Sequence, residues 1–255
     1  MSAGTDPAMG EAAGFWQEFL PADPGPPRGP WTDRYPAAMP DGSRLVLPLR
    51  DFGDLAVTGL IANQASFAVC RRLAGWMAEA ARPLGAEAVV GLPTLGHVFG
   101  PLVAEALGHR NWVAPGYSRK RWYDEALSVP VASSTAPGER RMWLDPRLLP
   151  RLAGRRVLLV DDVISTGSSA LAGLALLRLA GVVPVGLCVA MAQGDRWLAG
   201  WDAAVPVAAA YATPLFRREG TAWVPRPESV PVAVTLPAGQ GAAPPPEERP
   251  PGQSA

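Results

Sequence analysis

From Asn63 to Leu84 the chain reads NQASFAVCRRLAGWMAEAARPL, and Phe67, Cys70, Leu73, Trp76 and Met77 recur at helical spacing, which predicts an amphipathic helix. The pattern then shortens. AEAVVGLP is a continuous apolar run closed by Gly91 and Pro93, the mark of a buried strand. GHVFGPLVAEALG returns to helical spacing and stops at Gly108, and NWVAPGY predicts a short strand. GRRVLLVDD is a strand, SSALAGLALLRLAG a helix with a glycine stop, and VVPVGLCVAMA and VPVAAAYAT are further strands with TAWVP beyond them. Ser118 to Pro146 has weak periodicity and many small residues, so a long loop is expected there. Strands alternating with helices give an α/β fold with a mostly parallel twisted sheet flanked by helices. Ligands of such sheets bind at the carboxyl ends of strands. Those ends carry GLPTLGH, YSRKRWYDE and DDVISTGSS.

The flanks differ from this middle. PADPGPPRGP (21–30) and the Pro-rich stretch from Pro225, ending GQGAAPPPEERPPGQSA, bury too little apolar area to offset the entropy of ordering. The expected division is a disordered 1–30, an ordered domain over 31–227 and a disordered tail over 228–255, with GFWQEFL (14–20) as a short amphipathic segment that docks on the body. The 23 basic and 23 acidic side chains balance, which leaves no electrostatic footprint for nucleic acid or an anionic membrane. The N-terminus lacks a basic and an apolar region of a secretory signal, and the longest apolar run is interrupted by Arg178, Gly181 and Pro184. A cytoplasmic protein without nucleic-acid or membrane partners is expected. Cys70 and Cys188 belong to no CxxC pair and read as buried reduced thiols. His97 and His109 show no ligand spacing, and no metal cluster of protein side chains is expected.

One stretch stands apart. In VLLVDDVISTGSSA (157–170), a buried strand runs into Asp161 and Asp162, then a small polar loop opens a helix. Ser and Asp as N-cap residues and Gly in a turn explain any one of these positions. They do not explain the adjacent acids together with Ser165, Thr166, Gly167, Ser168 and Ser169. Backbone N–H groups at such a helix start converge on an anion and suit a phosphate. The preceding acids can accept from vicinal hydroxyls. Phosphate and diol together describe a ribose 5-phosphate.

This stretch resembles the phosphoribosyl pyrophosphate (PRPP) signature of the type I phosphoribosyltransferases. The resemblance implies that fold with a small hood, ribose hydroxyls on Asp161 and Asp162, and the 5′-phosphate held by the loop Val163, Ile164, Ser165, Thr166, Gly167, Ser168 and Ser169. It extends upstream. LRDFGDLAVTGLIANQASF, VVGLPTLGHVFGPLVAEALGH and SRKRWYDE are similar, in order and approximate spacing, to segments of the adenine phosphoribosyltransferases. By that likeness Leu49 and Arg50 contact the base, and Pro93, Thr94, Leu95 and Gly96 form the pyrophosphate loop. Arg119, Lys120 and Arg121, with Arg140 and Arg141 on a flexible loop, supply positive charge for pyrophosphate, Lys120 acting in catalysis. An ion pair of Arg50 with Asp51 or Asp54, and a solvated basic run at 119–121, are the plainer alternatives. Two departures stand out: Leu95 occupies a position where the adenine enzymes carry Arg, and Glu139 is the one candidate for their flexible-loop Glu, a few residues out of register.

The implied reaction moves ribose 5-phosphate from PRPP to a ring nitrogen of a purine-type base, with release of pyrophosphate. The resemblance also implies Mg²⁺ held mainly through PRPP and a homodimeric assembly. An oxocarbenium-like transition state would be positioned by the acids, while cations stabilise the leaving group. The alternative is a PRPP-binding sensor or regulator that keeps DDVISTGSS and has lost catalysis. Loss of the pyrophosphate-loop Arg fits that alternative; the neutral charge and the lack of a DNA-binding element do not.

Overall fold

The computed structural model describes residues 14–22, 29–131 and 140–239. Strands β1 (Arg34–Ala38), β2 (Arg44–Asp51) and β3 (Leu55–Thr58) lead into helix α1 (Phe67–Ala81), β4 (Ala88–Gly91) and α2 (Gly96–Ala106). Then come β5 (Ser128–Val131), β6 (Arg140–Trp143), β7 (Val157–Ile164), α3 (Ser168–Leu179), β8 (Pro184–Gln193) and β9 (Val207–Thr213). β10 (Leu215–Glu219), β11 (Ala222–Arg226) and β12 (Val234–Thr235) follow.

The central sheet has the order β12-β9-β8-β7-β4, with every pair parallel. Its inner strands read as unbroken apolar runs because both faces are covered. Val89, Leu158, Val160, Cys188 and Ala208 pack on one side with α1 and α2. Val90, Val157, Leu159, Val189 and Ala209 pack on the other with α3 and the β5–β6 pair. Helix α1 starts at an N-cap, Ser66, whose Oγ accepts from the Val69 N–H at 3.2 Å. Its buried stripe is Val69, Cys70, Leu73, Trp76 and Met77. Phe67 does not join it. That first helical residue is 80% exposed, with the Arg71 guanidinium over its ring.

A second, antiparallel sheet, β1-β2-β3-β10-β11, forms the hood over the carboxyl ends of the first. It has its own small core of Ala56, Phe216 and Trp223, with Trp31, Tyr35 and Leu49 packed around it. The segment expected to dock does so: Trp16 is buried and its Nε1–H donates to the Gly59 carbonyl at 3.0 Å, while Leu20 bridges to Arg44. Residues 1–13 and 23–28 lie outside the described residues.

Three expectations need correction. The stretch 118–146 is not a plain loop. β5 and β6 pair antiparallel, and Leu127, Val129, Met142 and Leu144 enter the core beneath α3. Four-residue strands are too short for their alternation to stand out from the small polar residues around them. NWVAPGY forms only isolated bridges, Val113 to Val90 and Gly116 to Trp143. The boundary expected at 227 falls too early, because β12 extends the central sheet on β9 and Ser229 is buried. A two-residue strand carries no readable period. Residues 240–255 lie outside the described residues. Cys70 and Cys188 are buried and free, as expected. No described helix is long and apolar enough to cross a membrane.

Ser229 gives a direct measure of how the chain after β11 is tied down. Its Oγ accepts from the Leu215 N–H at 2.8 Å and donates to the Arg226 carbonyl at 2.6 Å. Ser229→Ala strands a buried N–H, so a loss of about 1–3 kcal/mol is expected. Thermal unfolding checks it, and a midpoint equal to wild type contradicts it.

Candidate active site

The carboxyl end of β7 carries the site. Gly167 takes φ +84° there, and as N-cap of α3 it offers no side-chain cap, so the first N–H groups of the helix face the loop unoccupied by a cap. Thr166 and Ser168 share a hydroxyl hydrogen bond at 2.7 Å. Val163 through Ala170 enclose a small cavity of about 110 Å³, lined by all of the loop residues expected to hold a phosphate. Ile164 is buried among the residues of the α3 face.

A larger cavity, about 370 Å³, opens alongside. Asp162, Val163, Ser165 and Thr166 form one wall. Arg50, Phe52 and the β3 end from Val57 to Ile61 form the hood wall, and Met191, Gln193 and Arg196 close it from the β8 end. The hood wall and Met191 give it apolar surfaces, with convergent polar groups at the β7 and β8 ends.

The two acids are not alike. Asp161 is buried, its Oδ1 accepting the Asp162 N–H at 2.9 Å. Only Asp162 lines the large cavity. Both acids were expected to take ribose hydroxyls, but only Asp162 is open to the cavity, because successive strand residues point to opposite faces. Burial, and then the neighbouring Asp162 charge, push the Asp161 carboxyl well above the usual range; burial also raises Asp162. Asp161 instead touches the loop after β4. A Cβ on Gly96 would lie 2.8 Å from Asp161 Oδ1 and 2.9 Å from the Val160 carbonyl, so only glycine lets the loop 93–96 lie against β7. The Leu92 N–H donates to the same carbonyl at 2.8 Å, and the Pro93–Thr94 peptide is cis. Thr94 is exposed, whereas Leu95 packs against the core.

The expected cations separate into groups. Tyr117 donates its hydroxyl to the Pro93 carbonyl at 3.0 Å, and the Arg140 guanidinium lies 3.4 Å from the Tyr117 ring centroid. Arg140 is thereby brought beside the loop 93–96. Arg141 instead bonds Ser128 Oγ at 2.7 Å, and Arg119 pairs with Glu125 and overlies Trp143. These two tie the β5–β6 region together. Lys120 and Arg121 are exposed on the turn between, and neither lines the large cavity. Arg50 lines the cavity, and Asp51 pairs with Arg218 rather than with it. Leu49 turns into the hood core, away from the cavity. Glu139 lies outside the described residues. No group of three or more candidate metal ligands occurs among the described residues.

Sequence reading missed the β8 end. Gln193 is 4% exposed; its Oε1 accepts from Ser165 Oγ at 2.6 Å and its Nε2 donates to the Thr58 carbonyl. Arg196 donates to Ser165 Oγ at 2.7 Å. One buried amide thus joins the hood strand β3 to the loop after β7. The signal was available: QGDRW follows directly on a predicted parallel strand, at the same edge as the other three segments.

The phosphoribosyl transferase domain model matches residues 57–205, more than half of the chain. The chain belongs to the phosphoribosyltransferase family. The match starts inside β3 and ends before β9, so the hood strands β1, β2, β10 and β11 and the central-sheet strands β9 and β12 lie beyond it. The adenine phosphoribosyltransferase of Erythrobacter litoralis is 38% identical over 127 residues, which span 49% of this chain and 65% of that protein, just under two thirds. That of Novosphingobium aromaticivorans is 33% identical over 148 residues, spanning 55% of this chain and 77% of that one. Among solved structures, the adenine phosphoribosyltransferase of Rhodothermus marinus aligns with a TM-score of 0.49 at 21% identity, over 64% of this chain and 93% of that one.

Proposed function

We propose that this phosphoribosyltransferase transfers ribose 5-phosphate from PRPP to a purine base and releases pyrophosphate, with adenine as the base. One observation carries the reading: the loop after β7 and the hood wall line a single cavity that also holds Asp162. The 5′-phosphate then sits on the α3 N-terminus and the hydroxyls of 165–169, where N–H groups and the helix dipole favour an anion. The ribose hydroxyls donate to Asp162, and Asp161 fixes the loop 93–96 that receives the pyrophosphate. The base lies between Phe52, Ile61 and Arg50. Adenine follows from the names of the relatives, and Leu49 has no part in this assignment.

The acids also fit a hard divalent cation. Both are raised by burial, and neither has an ion-pair partner among the described residues, so a cation nearby would relieve their cost. Mg²⁺ carried on PRPP would neutralise phosphate charge there and need few protein ligands. A homodimer rests on the family resemblance, and sedimentation of the full chain tests it; a cytoplasmic setting rests on the sequence reading of the N-terminus and the apolar runs.

Leu95 leaves the pyrophosphate loop without a cation of its own, and Arg140 is the arginine that packing brings to it. Charge on pyrophosphate grows as its bond to the sugar breaks, so a cation there favours the transition state over the ground state. Arg140→Ala is expected to lower kcat by about tenfold or more while KM for PRPP changes less. Lys120→Ala is expected to do less than this. Steady-state kinetics separates the two; an unchanged kcat in the Arg140 variant contradicts the assignment.

The base is tested by pyrophosphate release from PRPP and Mg²⁺ with adenine, hypoxanthine, guanine, xanthine and orotate in turn. Adenine should support turnover and orotate should not. Turnover with none of them contradicts the proposal, and PRPP binding without turnover would favour a sensor.

A further inference from the structure

At the opposite edge of the central sheet, around the amino end of β4, lies a second cavity of about 310 Å³. Arg110 comes from the segment after α2, and Arg151 and Arg155 from the segment before β7. None of these three forms an ion pair among the described residues. The one carboxylate in the lining, Glu87, is engaged by Arg156, whose backbone N–H it accepts at 3.0 Å. In a chain with no net charge, three guanidinium groups against one carboxylate on one concavity make a local excess of positive charge. His109 lines the cavity, and its Nε2 is buried with no hydrogen-bond partner. That atom is screened from solvent, so the three guanidinium groups and not the imidazole carry the site.

We propose that this cavity binds the phosphate group of a small phosphorylated metabolite, or inorganic phosphate, at a site separate from the one at the carboxyl ends of β7 and β8. Guanidinium forks match phosphate oxygens two at a time, and several converging on one point select a doubly charged group. The volume is at the lower end for small-molecule sites, which suits one phosphate with a small body attached. The wall is Trp112. Its ring packs against Gly91 and Gly100, where an added Cβ would approach it to 2.9 and 2.8 Å, and it meets the His97 ring at 5.4 Å. Trp112 therefore touches both the cavity and the two elements, β4 and α2, that flank the loop 93–96.

The inference does not depend on the proposed transfer reaction, and its test reads Trp112 rather than activity. Inorganic phosphate is titrated into the full chain labelled with ¹⁵N at tryptophan, the Trp112 indole being assigned with Trp112→Phe. Wild type should show a saturable shift of that resonance. Arg110→Gln with Arg151→Gln and Arg155→Gln should weaken the titration by about tenfold or more. That variant should keep wild-type PRPP binding, which separates this site from phosphate binding on the α3 loop. A Trp112 signal that phosphate leaves unmoved, or that moves equally in the triple variant, overturns the proposal. Should the triple variant fail to fold, Arg151→Gln alone carries the same comparison.

Discussion

Replacing Asp161 and Asp162 by Asn is expected to cut turnover by about a thousandfold or more and, at the same time, to make the free chain harder to unfold at neutral pH. The two effects come from one cause. Asp161 is buried without an ion-pair partner, and burial with the Asp162 charge holds its carboxyl well above the usual range. A folded-state value raised above the unfolded one contributes stability in acid, and that contribution is lost as pH rises through the folded value. Wild type should therefore lose stability from about pH 4 upward, toward its raised folded value. Asp161→Asn, which carries no charge at any pH, should not share that loss. A gain of about 1 kcal/mol at neutral pH moves the midpoint by roughly 2–4 °C for a chain of this size. Melting curves of the free proteins across this range decide it. A variant that melts below wild type at neutral pH contradicts the account of Asp161 as an unpaired, costly buried charge.

Gly96→Ala should be nearly as damaging, through shape rather than charge. The new methyl would meet Asp161 Oδ1, the Val160 carbonyl and Asp161 Cα at 2.8 to 3.0 Å. Two of the three atoms are backbone of the central strand β7, which cannot swing aside as a side-chain end can. The loop 93–96 must lift from the strand, and a small misplacement of a positioning loop costs on the order of a hundredfold in rate. Overpacking of this kind also costs about 1–3 kcal/mol. Turnover and PRPP affinity measured on the folded variant, with its melting point as a control, test this. Wild-type turnover would show that the loop contact has no part in the reaction.

What the sequence revealed follows from how long each pattern runs. α1, α2, α3, β7, β8 and β9 were readable because many residues repeat one period or stay apolar throughout. β5, β6 and β12 were not, since two to four residues cannot establish a period. DDVISTGSS announced the phosphate loop because its chemistry is local. The hood emerged only in part: TAWVP was read, but Pro36 and Pro48 interrupt the runs of β1 and β2, and the β3–β10 pairing that joins the hairpins of the hood spans more than a hundred residues. Gln193 escaped for the same reason, as its two partners, Thr58 and Ser165, are distant in sequence. Arg140 and Arg141 are adjacent in sequence, yet alternation along β6 sends one to Tyr117 and the other to Ser128. No sequence pattern separates those two roles.

The proposed reaction is tested most directly by its mass balance. The full chain is incubated with PRPP, Mg²⁺ and adenine, and the nucleoside monophosphate and pyrophosphate formed are counted together. One nucleotide should appear for each pyrophosphate released, and both should disappear in the Asp161→Asn, Asp162→Asn variant. PRPP bound tightly by wild type with no nucleotide formed from any purine would contradict a transferase and leave a PRPP sensor in its place.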